Sequence, residues 1–426
     1  MNKQIVDMKN KVIITTVYPS SIIKDFRIYL TYLQKNKIKL TKANAYFTKK
    51  DLLAIYSLIT HDNIEVPKHS TQIGYPKIHL FYHLSINLDF IRIKRTQTSA
   101  LALVQSKQID EFMELTSTEQ YVTLLEVFWM ETDWEDLQGE TWNIEPNNVD
   151  LLFEELENYP ANKVIQLKQY KDIENTVYRY GQFFYYFSYF GFWTFEIDEI
   201  ESNKPDRPKR TVAQSIMLTP FFKQVSHILL ETWYPYQEKK LDQSFHLLTN
   251  LFNLPNEIME EINLEKPQSK ISLISLLKPL FPSGQLNTTL KKQVSFIRGT
   301  YLLKVKLHQS CWRVLELSSS HTLLDVHNLI QMAFNFDDDH LYAFYMDGKK
   351  FSKHHYIAPM GSEGPYVDEV KIGDMNLYEE QSFLYLFDFG DEWEFDIQVE
   401  KIIEGEEVPN PRIKDEYGKA PNQYSW

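Results

Sequence analysis

Nine residues near the C-terminal end, Phe387-Asp388-Phe389-Gly390-Asp391-Glu392-Trp393-Glu394-Phe395, constrain the fold more than any other stretch of this chain. Aromatic and polar residues alternate on both sides of one glycine, the period of half-buried strands. The stretch therefore reads as a tight reversal between two strands, Ser382 to Phe387 and Glu394 to Ile403. Gly390 is expected to hold the positive φ of the turn, which other residues resist. Asp388 or Asp391 would then accept turn amide hydrogens, as aspartate commonly does. The same carboxylates could instead pair on a hard cation such as Mg2+, as a metal-dependent nuclease requires. Because side chains alternate faces along a strand, Glu392, Glu394 and Asp396 share one face and need not converge with Asp388.

Upstream of this turn the pattern alternates cleanly. Thr300 to Leu307 and Trp312 to Leu317 read as strands, and Thr322 to Phe334 as an amphipathic helix. Leu341 to Met346 and Lys350 to Ser352 are expected to form a hairpin across Asp347-Gly348. A loop rich in glycine and proline and a short element from Ile372 to Leu377 follow. Strands outnumber helices and sit mostly antiparallel, so this region is α+β.

In order along the chain come Tyr301 to Leu307, Cys311-Trp312-Arg313-Val314, Leu323 to Gln331, Asp339-His340-Leu341-Tyr342-Ala343-Phe344, and Asp388-Phe389-Gly390-Asp391-x-Trp393. This series resembles the plasmid pRiA4b ORF-3-like domain, also labelled the IS1096 element passenger TnpR family. The resemblance runs from about Val294 to Val408 and implies an α+β module associated with mobile elements, with no assigned activity. It singles out Trp312, Arg313, His340, Asp388, Gly390, Asp391 and Trp393 as motif residues. The tail from Asp415 to Trp426 lacks the cysteines and the glycine-rich end of the family. The TnpR label suggests a resolvase, yet nothing in the chain reads as a serine-recombinase active site.

A length of 426 residues allows two or three domains with their own cores. The single Cys311 excludes a disulfide framework and a cysteine-based zinc site. The apolar run Val12 to Val17 is too short for a secretory or membrane-spanning segment. A cytoplasmic protein with no membrane partner is therefore expected. The net charge of −13 is unevenly spread, for residues 1–110 hold 17 Lys and Arg against 7 Asp and Glu. A basic quarter on an acidic chain points to a polyanion partner for that quarter.

That quarter has a recognisable order. Thr48 caps a helix with an apolar face of Leu52, Leu53, Ile55, Tyr56 and Ile59, and Pro76 opens a second helix to about Asp89. Phe90 to Arg95 and Ala100 to Val104 then form a hairpin. Helix, helix, hairpin is the order of a winged-helix domain. Its basic residues Lys49, Lys50, Lys77, Arg92, Lys94 and Arg95 would meet the phosphates of double-stranded DNA. The order recurs in an aromatic helix from Tyr178 to Phe190, strands at Phe192 to Ile197 and Ala213 to Leu218, and a helix opened by Thr219-Pro220. Tyr82, Ser85 and Phe90 share a frame with Tyr185, Ser188 and Phe192, the second one residue shorter. Between the two, Thr116 to Gln120 opens a helix in capping-box style. From Leu241 to Leu290, short helices broken by prolines lead to a linker.

Catalytic signatures are missing. The Asp-Phe-Gly string comes without a glycine-rich loop or His-Arg-Asp loop, so a kinase is excluded. No Walker A, Gly-x-Ser-x-Gly, His-Glu-x-x-His or Gly-x-Gly-x-x-Gly motif occurs. The expectation is a non-enzymatic binding protein with no cofactor and no metal, built as a basic winged-helix-like domain (1–110), a helical region with a second such unit (111–287), and the pRiA4b ORF-3-like α+β domain (294–426). DNA would bind the N-terminal region, and a protein partner the C-terminal domain. The alternatives are a metal-dependent phosphodiesterase centred on Asp388 and Asp391, and a purely protein-interacting scaffold.

Overall fold

The structure, a computed structural model, describes residues 11–61, 70–95, 100–138, 149–169, 183–202, 212–233, 272–291, 296–359 and 364–424. The loop through Pro67, the turn at Thr96 to Ser99, Tyr178 to Gln182, the charged tip Asn203 to Arg210 and the prolines Pro255 and Pro267 lie outside those residues. Helices mix with antiparallel sheets, as expected of an α+β protein. The chain forms two compact units. The first comprises residues 1–92, 103–242 and 263–292, and the second 93–102, 243–262 and 293–426.

In the first unit, α1 (Ile22–Lys35) buries Ile22, Phe26, Tyr29, Leu30 and Leu33, an apolar stripe at helical spacing. The short β1 (Lys39–Leu40) follows, then α2 (Lys49–Leu58) with Thr48 at its N-cap and α3 (Pro76–Asn87) with proline in its first turn. The strands β2 (Ile91–Arg95) and β3 (Leu101–Gln105), whose residues 93–95 and 101–102 count with the second unit, complete a sheet of order β1-β3-β2.

The same plan recurs further along. The strand β4 (Val164–Gln166) precedes a helix at 183–189, followed by β5 (Trp193–Ile197) and β6 (Ala213–Leu218) in the order β4-β6-β5. The local chemistry matches as well. Each helix ends on a left-handed residue, Asp89 (φ 56°) and Gly191 (φ 78°). Each closes with an amide bonded to the carbonyl five residues back, Phe90 to Ser85 and Phe192 to Phe187. This is the Schellman arrangement, and it satisfies carbonyls that a helix end leaves without partners. Each hairpin then returns an amide to the phenylalanine that began it, Ser106 to Phe90 and Thr219 to Phe192, both at 3.0 Å. The two backbones match at the closing phenylalanine, but Ser85 stands opposite Phe187 and not Ser188, so the tyrosine and serine of the two frames are offset by one residue.

Between the repeats, α4 (Ser117–Glu126) opens with a complete capping box from Thr116 and Glu119 and runs into a π turn at Val127–Glu131. That turn delivers Trp129 into an aromatic core with Phe153, Phe187 and Trp233. Phe183, Phe184 and Phe187 are all buried. The helix opened by Thr219-Pro220 spans 220–233, its N-cap hydroxyl accepting from the Phe222 amide.

The second unit is a seven-stranded antiparallel sheet of order β10-β9-β11-β12-β7-β8-β13. Its strands are β7 (Gly299–His308), β8 (Cys311–Ser318), β9 (Tyr342–Tyr345), β10 (His355–Ile357), β11 (Ser382–Phe387), β12 (Trp393–Glu404) and β13 (Arg412–Tyr417). The helix α5 (Leu323–Phe334), capped by Thr322 and Asp325, packs Val326, Ile330 and Phe334 against Tyr301, Leu303, Tyr385 and Phe395. One expectation changes. The hairpin partner of β9 is β10 and not Lys350 to Ser352, because Asp347 turns the chain by accepting from the Lys349 amide and the Ser352 hydroxyl. The C-terminal tail also supplies a strand, β13, paired with β8.

Candidate functional site

The motif turn joins β11 to β12, with Phe387 facing Trp393 across its base. The sequence points to Gly390 as its left-handed residue, but the structure assigns that conformation to Asp388 (φ 56°) and Glu392 (φ 51°). Asp388 sustains it with its own side chain. Its Oδ1 accepts from the amides of Gly390 (2.8 Å) and Asp391 (3.3 Å), a local bond that makes αL tolerable for aspartate. Its carbonyl accepts from the Glu392 amide at 2.7 Å. Gly390 is needed for space, since a Cβ there would lie 3.2 Å from Asp388 Oδ1. Lys350 neutralises Glu392 and Glu394 at 2.6 and 2.7 Å, and the two carboxylates raise its pKa.

The other oxygen of Asp388 looks outward. Oδ2 lies 3.5 Å from Nε2 of His340, which is itself 3.6 Å from Asp339 and 3.4 Å from the Tyr424 hydroxyl. Tyr424 donates to Asp339 at 2.6 Å. That bond holds the carboxyl below its ordinary range and pushes the tyrosine up to about 12. Gln423 joins the Asp337 backbone and the Asp339 side chain, so the tail is strapped to this loop. Trp393 packs edge-on against Phe336 at 4.9 Å.

A second polar chain lies beneath. His327 is fully buried, its ring stacked on Tyr342 at 3.6 Å with the planes 4° apart. Nδ1 meets the Tyr385 hydroxyl at 2.7 Å, and Gln331 donates to that same oxygen at 2.9 Å. With Gln331 donating to that oxygen, the Tyr385 hydroxyl hydrogen is free to point at Nδ1, the arrangement that leaves the imidazole proton on Nε2. That atom lies 3.0 Å from Asp338. Burial lowers His327 to about 4 despite the opposing pull of Asp338. Because Tyr385 has no exposed surface, this chain orders the core and does not face a substrate.

Trp312 and Arg313 serve the far edge of the sheet. Arg313 donates to Ala333 O at the end of α5 and to the carbonyls of Tyr417 and Gly418, tying the tail strand to the helix. Trp312 lies between the Lys304 ammonium, 3.9 Å from its ring, and Tyr417. The motif residues therefore divide between holding the tail and shaping the turn.

Of the six basic residues expected at DNA, three are held by carboxylates. Lys77 is buried, 3.2 Å from Asp25, and donates to Thr60 O, so its ammonium cannot reach a phosphate. Arg92 is clamped by Asp89, and Lys94 pairs with Glu380 at 2.5 Å. The Arg95 side chain lies outside the described residues. Lys49 and Lys50 are exposed, and so are four lysines beyond the expected six, Lys35, Lys37, Lys39 and Lys42. Their signal was available, for the stretch from Gln34 to Lys50 contains no Asp or Glu. The flanking acids are buried. Asp25 is bound by Lys77, Ser21 and Thr60, and Asp51 by Tyr32 and Thr48.

His79 and His83 have the one-turn spacing of a metal-binding helix, a further feature not drawn from the sequence. The Phe47 amide fixes Gln72 Oε1, so the Gln72 amide nitrogen faces His79 Nδ1 at 3.3 Å. Nδ1 thus accepts and Nε2 keeps the proton, which leaves no lone pair for a metal. Burial, reinforced by His83, holds His79 down to about 3. Among the described residues, no group of three or more His, Cys, Asp or Glu side chains is arranged to hold a metal ion. No helix among them is long and apolar enough to cross a membrane.

Residues 300–423 match the family model described as plasmid pRiA4b ORF-3-like protein, so the C-terminal resemblance stands. Among solved structures, the chain is similar to a protein of unknown function, MM3350, from Methanosarcina mazei Go1. The two share 27% identity over 29% of this chain and 72% of that one, with a TM-score of 0.26. No curated protein matches the chain.

Proposed function

We propose that this is a non-enzymatic DNA-binding protein whose N-terminal region grips duplex phosphates and whose pRiA4b ORF-3-like domain engages a protein partner. The observation that carries the reading is the lysine surface: Lys35, Lys37, Lys39, Lys42, Lys49 and Lys50 are exposed, and the two aspartates that flank them along the chain, Asp25 and Asp51, are turned inward, while Asp110 stays exposed against Gln34. The element order α1, β1, α2, α3, β2, β3 with sheet order β1-β3-β2 supports a winged-helix-like scaffold beneath it. The association with mobile elements comes from the family label alone. The phosphodiesterase alternative lacks comparable support, because Oδ1 of Asp388 is committed to turn amides. Binding of the full chain to labelled duplex DNA across a salt series tests the proposal. Affinity should fall linearly on a log–log plot as counterions are released. Replacing Lys35, Lys37, Lys39 and Lys42 by Ala should reduce the slope by about one for each lysine that meets a phosphate. Binding that ignores both salt and these substitutions would return the surface to protein interaction.

A further inference from the structure

In a winged-helix domain the helix before the hairpin enters the DNA groove. Here that helix is α3, and it has no face to offer. Residues Pro76 through Tyr82, with Leu84 and Ser85, are buried, and Lys77 lies 4.8 Å from the ring of Tyr189 in the repeated unit. The opposite holds for α2. Its buried residues are Asp51, Leu52 and Ile55, while Lys49, Lys50, Leu53 and Ser57 are exposed. At 100° per residue these four fall within about a third of the circumference, with Leu53 and Ser57 between the two lysines. Leu53 is 49% exposed, a large apolar side chain within a basic surround. The Tyr32–Asp51 hydrogen bond holds the start of α2 against the last turns of α1, and fixes α2 with its exposed face outward.

Resting on the DNA-binding reading, we infer that the exposed face of α2 enters the major groove, with Leu53 and Ser57 toward base edges and Lys49 and Lys50 on phosphates. Charge complementarity selects the occupant, because a leucine flanked on its helix face by Lys49 and Lys50 suits a polyanion that presents thymine methyl groups in its groove. A protein partner for this face is the outcome the test must separate. The full chain is titrated onto a labelled random 20-bp duplex at low salt, beside Leu53→Asp, Ser57→Glu and a control, Leu151→Asp, at a leucine exposed elsewhere. Leu53→Asp should weaken binding tenfold or more with its thermal midpoint unchanged, and the control should stay within twofold. Should Leu53→Asp lower the midpoint, Ser57→Glu on the same face decides by the same criterion. Wild-type binding with both α2 variants within twofold overturns the α2 assignment and leaves the lysine surface standing. No wild-type binding at all overturns the DNA reading, and the α2 assignment with it.

Discussion

Lys50 and Lys77 occupy the same place in successive helices of the first unit, the second helical residue of α2 and of α3. Lys50 is exposed among other lysines, whereas Lys77 is buried with its ammonium shared between Asp25 and Thr60 O. The second unit repeats the contrast in histidines. His327 is enclosed and kept neutral by burial, while His340, beside the same aspartate run, remains partly open to water between Asp339, Asp388 and Tyr424. In both pairs the residue type is the same, and enclosure separates an internal fastener from a surface group.

The largest test of this contrast removes Lys77. Lys77→Met should destabilise the first unit by about 3–5 kcal/mol, because Asp25 is left as a buried charge without its counterion. Asp25→Asn in that background should recover part of the loss, since an amide needs no counterion. Chemical denaturation of the three proteins measures both effects, and a Lys77→Met loss below about 1 kcal/mol would contradict the burial.

A medium effect concerns His327. Its folded pKa of about 4 lies below the unfolded value, so the unfolded chain takes up this proton first as pH falls. The contribution to stability is intact above about pH 6.5 and is lost progressively down to about pH 4. Its slope approaches at most about 1.4 kcal/mol per pH unit. The difference in unfolding free energy between wild type and His327→Gln should shrink through that window. A difference independent of pH would show that the imidazole is not held neutral.

The smallest expected effect is on Lys50. Lys50→Ala should change stability by no more than about 0.5 kcal/mol, as exposed substitutions do. Its consequence should appear instead in the salt dependence of DNA binding. A loss comparable with that of Lys77→Met would erase the distinction between the two helices.

The sequence alone determined what short-range chemistry controls. The capping boxes at Thr116 and Thr322, the proline-led start of α3, the alternation through β11 and β12 and the repeated helix–hairpin frame all depend on residues a few positions apart. The turn at Asp388 was legible as a turn, but its left-handed residues were not. Glycine is the usual occupant of that conformation, and an aspartate takes it only when its own oxygen reaches the following amides. The tertiary structure decided which charges face water. Lys77 meets Asp25 across 52 residues and Lys94 meets Glu380 across 286, separations over which no local pattern predicts a partner. A basic sequence is therefore a count of charges, and folding decides how many remain at the surface for a partner to meet.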